Sequence, residues 1–314
     1  MPHRILGLHH VTATVDRAQP DLDFCVDALG LRLVKKTVNF DNHHVYHFYY
    51  GDEMGRPGTI WTTFPYHGQG VGVGTKGAGQ ITTTSFSIPG EALEFWTERL
   101  QARGFLVERV EHFGDPRLRV TDPSGLLIEL VATRGDRRDG WNAGGVPRAQ
   151  AVRGLHSVTL LIRSPGTTVD LLTDVLGFEK ACEEDGRIRL AVNGDEPGRL
   201  LEIARAPADA PPAVNGLGTV HHVALAIATA GEQLALREDL VRRGYRVTEV
   251  LDRLYFQSIY FREPGGILLE VATIEPGFTV DERTESLGTA LKLPDWQEPN
   301  RAEIEAGLAP VTHR

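Results

Sequence analysis

The chain has 314 residues, 41% apolar and 24% charged with 34 glycines, the profile of a globular protein with room for about two cores. Its net charge of −9 argues against nucleic acid or an anionic membrane surface as the main partner. Cys25 and Cys182 lie far apart with no CxxC pair, which argues against a disulfide scaffold or thiolate metal site and fits a reducing compartment; with no secretory-type apolar region and no apolar run of membrane-spanning length, a cytoplasmic protein is expected.

One grammar recurs four times along the chain: an alternating apolar strand, a helix closed by glycine, then two or three strands. In module 1, Val11-Thr12-Ala13-Thr14-Val15 alternates at the strand period. Helix start signals occupy residues 16–20, the helix body 22–29, and Gly30 stops it where a left-handed residue is wanted. Strands are predicted around 31–39, 45–50 and 59–64. Residues 67–79 are glycine-rich and read as a flexible loop. Module 2 has a strand at 81–88, a helix at 91–103 ended by Gly104, and strands at 105–110, 118–122 and 126–131. Residues 134–150, charged and then glycine-rich, read as a linker. Module 3 opens at Leu155-His156-Ser157-Val158-Thr159, continues with a helix at 169–176 stopped by Gly177, and ends in strands at 188–192 and 199–204. Module 4 opens at His221, with a helix at 232–243, Gly244, and strands at 245–250, 257–262 and 267–272. The expected division is an N-terminal domain of modules 1 and 2 (1–135), a linker (136–152), a C-terminal domain of modules 3 and 4 (153–276) and a tail (277–314). The tail carries proline punctuation and one short acidic helix, and it could fold back over the domain or serve contacts between subunits.

Two histidine doublets frame the chain, in Leu8-His9-His10-Val11-Thr12 and Val220-His221-His222-Val223-Ala224. Aligned on the following valine, His10, Ser157 and His222 share one position, while His9, His156 and His221 share its neighbour. Side chains alternate across a strand, so the two positions are expected on opposite faces. The turn and strand Asp122-Pro123-Ser124-Gly125 to Glu129 repeats as Glu263-Pro264-Gly265-Gly266 to Glu270. Two histidines and one carboxylate on three strands make a facial metal site with open positions, so His10, His222 and Glu270 are the candidate ligands, with iron(II) favoured and manganese(II) compatible. A histidine beside valine on a strand is ordinarily a satisfied or exposed side chain; recurrence of the doublet at one module position weighs against that here. Counting from Pro57-Gly58, Thr63 takes the place of Glu270 in module 1. Glu129 has no histidine partner in its module and reads as a structural acid, as does Glu202, placed one position off register. A competing set, His156, His222 and Glu270, is disfavoured by Ser157 at the ligand register. His47 reads as a cavity wall, and His43 and His44 as turn residues. Trp61, Phe64 and Tyr66 read as core, with one able to stack on an aromatic ligand.

With these features in view, the sequence resembles the vicinal-oxygen-chelate superfamily of glyoxalases, bleomycin-resistance proteins and extradiol dioxygenases. Within it the chain is similar to ring-cleaving dioxygenases of hydroquinones and their chlorinated forms. The likeness spans nearly the whole chain. It includes both histidine segments, Lys35-Lys36-Thr37-Val38-Asn39-Phe40-Asp41, Tyr46-His47-Phe48-Tyr49-Tyr50-Gly51-Asp52-Glu53, Gly55-Arg56-Pro57-Gly58-Thr59-Ile60, Gly144-Gly145-Val146-Pro147 and Leu287-Gly288-Thr289-Ala290-Leu291-Lys292-Leu293-Pro294. The resemblance implies an α+β fold of four βαβββ modules forming two open eight-stranded barrel-like domains. It implies iron(II) on His10, His222 and Glu270, and four further residues around metal or substrate: His9, His221, Arg253 and Tyr260. Tyr260 lies ten residues before Glu270, on the adjacent strand, and Arg253 lies at the mouth of that strand pair. Without the resemblance, Tyr260 reads as a core tyrosine and Arg253 as a surface charge.

The activity so implied is extradiol-type oxidative opening of a dihydroxylated ring by O2, with a small aromatic substrate, no nucleic-acid or membrane partner, and a homodimer as the common state among relatives. Two alternatives differ in chemistry. A glyoxalase-type lyase or isomerase usually presents two carboxylates, which Thr63 argues against. A metal-free module that sequesters aromatic drugs would tolerate loss of His10 or Glu270.

Overall fold

The computed structural model describes residues 5–313. Module 1 comprises β1 (Ile5–Val15), α1 (Ala18–Leu22), which runs on as a π-helical turn over Asp23–Ala28, then β2 (Arg32–Asn39), β3 (Asn42–Gly51) and β4 (Ile60–Pro65). Module 2 comprises β5 (Gln80–Pro89), α2 (Leu93–Ala102), β6 (Glu108–His112), β7 (Asp115–Thr121) and β8 (Leu127–Thr133). Module 3 comprises β9 (Gly154–Ile162), α3 (Gly166–Asp174), β10 (Glu179–Glu184), β11 (Arg187–Ala191) and β12 (Leu200–Arg205). Module 4 comprises β13 (Thr219–Ile227), α4 (Ala230–Arg242), β14 (Leu251–Asp252), β15 (Phe256–Arg262) and β16 (Leu268–Pro276). Each helix stops where its glycine permits a left-handed turn. Gly30 is needed twice over: its φ is +68°, and a Cβ there would meet the Val146 side chain at 2.6 Å.

Two open, curled eight-stranded sheets result, the α+β half-barrels expected from sequence. One runs β14-β15-β16-β13-β1-β4-β3-β2, the other β10-β11-β12-β9-β5-β8-β7-β6. The expectation that neighbouring modules share a barrel is corrected by this order. Module 1 joins module 4 through the antiparallel β1–β13 pair, and module 2 joins module 3 through β5–β9. The cause lies in the connections. Residues 66–79 and 206–218 each carry the chain from one sheet to the other, and they travel side by side, bridged at Val73 with Leu217, Thr75 with Val214 and Ala78 with Pro212. The linker between modules 2 and 3 stays with one sheet. It is packed rather than loose: Arg99 donates to the Gly144 and Gly145 carbonyls, and Arg138 to those of Gly58 and Leu155.

Strand patterning explains which faces are dry. On β1, Val11, Ala13 and Val15 enter the main core with Val223, Ile259 and Leu269, while His10 and Thr12 face the concave side. The tail folds back on the first sheet. It buries Phe278, Leu287, Leu293, Ile304 and Leu308, and it holds the buried Lys35 ammonium between Asp281 and Glu282. Among the described residues no helix is long and apolar enough to cross a membrane.

Candidate metal centre

His10, His222 and Glu270 converge in the hollow of the first sheet from β1, β13 and β16. These strands are neighbours, so the ligand positions meet without any loop having to order. His10 Nε2 lies 3.2 Å from His222 Nε2 and 3.2 Å from Glu270 Oε2; His222 Nε2 lies 2.8 Å from Glu270 Oε2. All three side chains are buried.

The doublets do not split across the sheet as strand alternation predicts. Register slips beside both, between Leu8 and His10 and opposite His221, and these bulges bring each pair of imidazoles together. His9 Nδ1 sits 2.9 Å from His10 Nδ1, and His221 Nδ1 sits 2.7 Å from His222 Nδ1. Each outer histidine therefore occupies the nitrogen its partner does not aim inward. With Nε2 of His10 turned toward the other ligands, its Nδ1–H donates to His9, whose own proton then sits on Nε2 facing the Thr273 carbonyl. Burial, followed by the adjacent histidine, pushes His9 and His221 down to about 3. Both are neutral imidazoles near pH 7.

The carboxylate tests whether the trio suits a cation. Glu270 Oε1 accepts from the Ser258 hydroxyl. Oε2 is buried and makes no hydrogen bond of adequate direction, although two imidazole nitrogens are within reach. Burial alone would raise this carboxyl, but His10 and His222 outweigh it and hold it well below the usual range. Burial likewise lowers His222 against the pull of Glu270. A buried, ionised, unsatisfied oxygen facing imidazole nitrogens is costly alone and is satisfied by a divalent metal. The donor set fits.

Above the trio lies a cavity of about 390 Å³. His47, Tyr49, Phe64, Tyr66, Phe256 and Tyr260 give it an aromatic lining suited to a flat ring. Tyr260 pairs directly with Glu270 across the β15–β16 ladder, and its phenol lies 3.4 Å from Arg253 Nε. Burial raises this phenol well above its ordinary value, so it is protonated. Arg253 also reaches Asp41 at 3.2 Å. His221, Tyr260 and Arg253 thus stand in the cavity wall, where the resemblance puts them, while His9 stands behind His10, its ring against Phe256 at 4.9 Å. Phe64 and Tyr66 line the cavity, whereas Trp61 is buried core. A larger groove of about 1030 Å³ runs past the linker, but its Arg56, Arg138 and Arg199 are spent on Asp52, Asp136 and Glu196.

Two register readings need correction, and the disfavoured histidine set is excluded. Ala224 pairs with Glu270 and Thr12 with Thr62, so Thr62, not Thr63, takes the carboxylate position in module 1. Thr63 points away and donates to Asp21. Thr159 pairs with Glu202, so Glu202 is in register with Glu270, and the slip assumed from sequence does not exist. His156 lies in the other sheet, beside Ser157 at 3.0 Å, and cannot join His222. Sequence reasoning also missed Ser258, which holds Glu270 Oε1. Its signal was its place two residues before Tyr260, on the same strand face.

Known proteins bear on this geometry. The model of the Glyoxalase/Bleomycin resistance protein/Dioxygenase superfamily matches residues 7–130 and 154–271. The chain is 41% identical over 314 residues to "Putative ring-cleaving dioxygenase MhqO" of Bacillus subtilis (strain 168), covering 100% of this chain and 99% of that one. It is 36% identical over 312 residues to the chlorohydroquinone/hydroquinone 1,2-dioxygenase of Sphingobium indicum, covering 97% and 96%. A crystal structure from Bacillus subtilis subsp. subtilis str. 168 superposes with a TM-score of 0.94 at 40% identity over 99% of each chain. The chain belongs to the glyoxalase/bleomycin resistance protein/dioxygenase superfamily.

Proposed function

From that membership and the buried trio, we propose that the chain is an iron(II)-dependent dioxygenase that opens a dihydroxylated aromatic ring, with para-hydroquinone or a chlorinated form as substrate. One observation carries the reading: two histidines and one unsatisfied carboxylate converge at the base of an aromatic-walled cavity. The relatives named for ring cleavage, one of them for hydroquinone, support it.

When bound at His10, His222 and Glu270, iron(II) would supply the one-electron chemistry that lets O2 react with a phenolic ring. The chain's own residues do the rest. His9 and His221 fix the ring orientation of the ligand histidines. The aromatic walls hold the substrate flat and exclude water. The Arg253 guanidinium stabilises an ionised substrate oxygen, and the protonated Tyr260 hydroxyl beside it can give or take a proton. Both atoms of O2 enter the product, which opens beside a hydroxyl-bearing carbon as an acyclic acid.

Thr62 opposes the isomerase alternative, because a hydroxyl stands where that chemistry wants a second carboxylate. The deciding experiment is oxygen uptake by anaerobically iron(II)-loaded protein given hydroquinone, chlorohydroquinone and catechol, with His222→Ala as control. Uptake with a hydroquinone, abolished in the control, is the expected result. Metal bound without uptake from any diphenol would move the reading to isomerase chemistry, and absence of bound metal would end it.

A further inference from the structure

His47 is the cavity-lining histidine that the trio and its partners leave unused. Its ring, on β3, packs between Tyr49 and Phe64, with centroids 4.0 and 4.2 Å away, so its plane is set by the wall. His47 Nε2 lies 3.0 Å from Thr62 Oγ1, and Thr62 Oγ1 donates to Thr12 Oγ1 at 2.8 Å. A hydroxyl has one proton, and Thr62 has spent it on Thr12. Toward His47, Thr62 can only accept, so His47 carries its proton on Nε2 and keeps a lone pair on Nδ1. Among the described residues Nδ1 has no hydrogen-bond partner, yet it is not one of the sealed, unpartnered atoms of the interior, and the cavity is what His47 lines. The row Thr12–Thr62–His47 crosses β1, β4 and β3, and thereby fixes the tautomer of a histidine on a different strand from any candidate ligand. Burial above all, with the Arg253 guanidinium acting in the same direction, keeps this imidazole neutral at ordinary pH.

We infer that His47 Nδ1 accepts a hydrogen bond from the second hydroxyl of the aromatic substrate, the one not directed at the metal centre, and so selects diphenols with that hydroxyl free. This rests on the dioxygenase reading and adds a specificity residue to it. An ether, a halogen or a bare ring carbon at that position has no proton to give. A lone pair left facing such a group loses its bond, and sites built around a hydroxyl reject analogues lacking it far better than apolar pockets reject an extra group.

The test compares hydroquinone with 4-methoxyphenol, which keeps one hydroxyl and blocks the other. Binding to the iron(II)-loaded protein is measured anaerobically by calorimetry, and kcat and KM follow from oxygen uptake. Wild type is expected to bind hydroquinone about tenfold or more tightly than the ether, one hydrogen bond's worth. His47→Phe keeps the stacked ring and removes the acceptor; the preference should fall to within about twofold, with KM for hydroquinone rising about tenfold and metal content unchanged. His47→Asn, whose amide oxygen can stand near Nδ1, should restore most of the preference. Thr62→Val, which frees the tautomer at constant volume, should weaken it in a background that keeps His47. A wild-type preference retained in His47→Phe and Thr62→Val overturns the inference while leaving a working dioxygenase intact. A wild type that neither binds hydroquinone nor consumes oxygen with it overturns the function and the inference together.

Discussion

The two half-barrels bring four side chains to equivalent points in their hollows and fill those points differently. In the first sheet they are His10, His222, Thr62 and Glu270; in the second they are Thr83, Ser157, Glu129 and Glu202, by the same strand pairings. The second sheet thus holds two buried carboxylates and no ligand histidine. Its cation is built in: Arg117, fully buried, reaches Glu129 Oε2 at 2.9 Å and Glu202 Oε1 at 2.8 Å. Arg119 and Arg189 flank it, each 2.8 Å from one of the carboxylates, and Arg189 also holds Asp115 at 2.6 Å across the hollow. The position that Arg117 occupies on β7 belongs to Ser258 on β15, and that of Arg119 to Tyr260. One register therefore separates a polar wall with a cavity from a hollow packed with guanidinium. A centre that can take a free cation needs a carboxylate, nitrogen donors and no tethered positive charge at the same point.

The largest expected effect is removal of a ligand from the first hollow. His222→Ala should reduce bound metal to background and oxygen uptake below detection, a loss exceeding the roughly 10–100-fold expected for an outer partner. Metal content by elemental analysis and circular dichroism would separate this from unfolding, and full metal occupancy would break the comparison. In the second hollow the equivalent insult is structural. Arg117→Met removes the buried charge shared by Glu129 and Glu202, leaving each with one flanking arginine, and should cost about 3 kcal/mol in urea unfolding, with activity per folded molecule unchanged. Adding Glu129→Gln and Glu202→Gln should recover most of that loss. If the single variant were as stable as wild type, the tethered-cation account would fail.

Much of this was legible in the sequence, and the exceptions have physical causes. The four modules, their glycine stops and the choice of His10, His222 and Glu270 followed from periodicity and a repeated turn. Which modules share a sheet did not follow, because an alternating strand displays its faces but not its neighbour; the paired crossing loops decide that. A period-two rule puts the members of each doublet on opposite faces, because the bulges beside Leu8 and opposite His221 are invisible to it. Thr62 was misnumbered and Glu202 misplaced for the same reason: counting from a turn carries the length of the turn into the register. Arg117 carries no signal in the sequence, because an arginine on a polar-looking strand reads as solvated, whereas here two carboxylates from other strands make its burial tolerable.

A smaller effect tests the support of the first hollow. His9→Ala leaves the three ligands in place but removes the partner of His10 Nδ1, and metal affinity should fall by about 10–100-fold with stoichiometry retained at saturation. Competition with a chelator measures it. Unchanged affinity would mean that the bulge alone orients His10.

The smallest effect separates the hollows by acid. His156 belongs to the second sheet, and burial followed by Arg117 pushes it down to about 3, far below the 6.5 expected of an unfolded chain. Between pH 6.5 and 3 the unfolded chain binds a proton there that the folded protein refuses, so stability falls as pH falls through that window. Glu202 acts in the same direction over a lower range. Burial would raise it, but Arg117 and Arg189 hold it at about 2, so its contribution is present above about 4.5 and lost toward 2. Of these two groups only the histidine is in play from pH 7 to 5, at up to about 1–2 kcal/mol for one proton. Urea midpoints for wild type and His156→Gln at both pH values isolate it, because the histidines of the first hollow and the raised carboxyls of Asp21 and Asp122 are common to both proteins and cancel. The variant should lose less stability on acidification. Parallel losses would show that His156 gains its proton in the folded state, and hence that the guanidinium cluster beside it repels a second cation less than its burial implies.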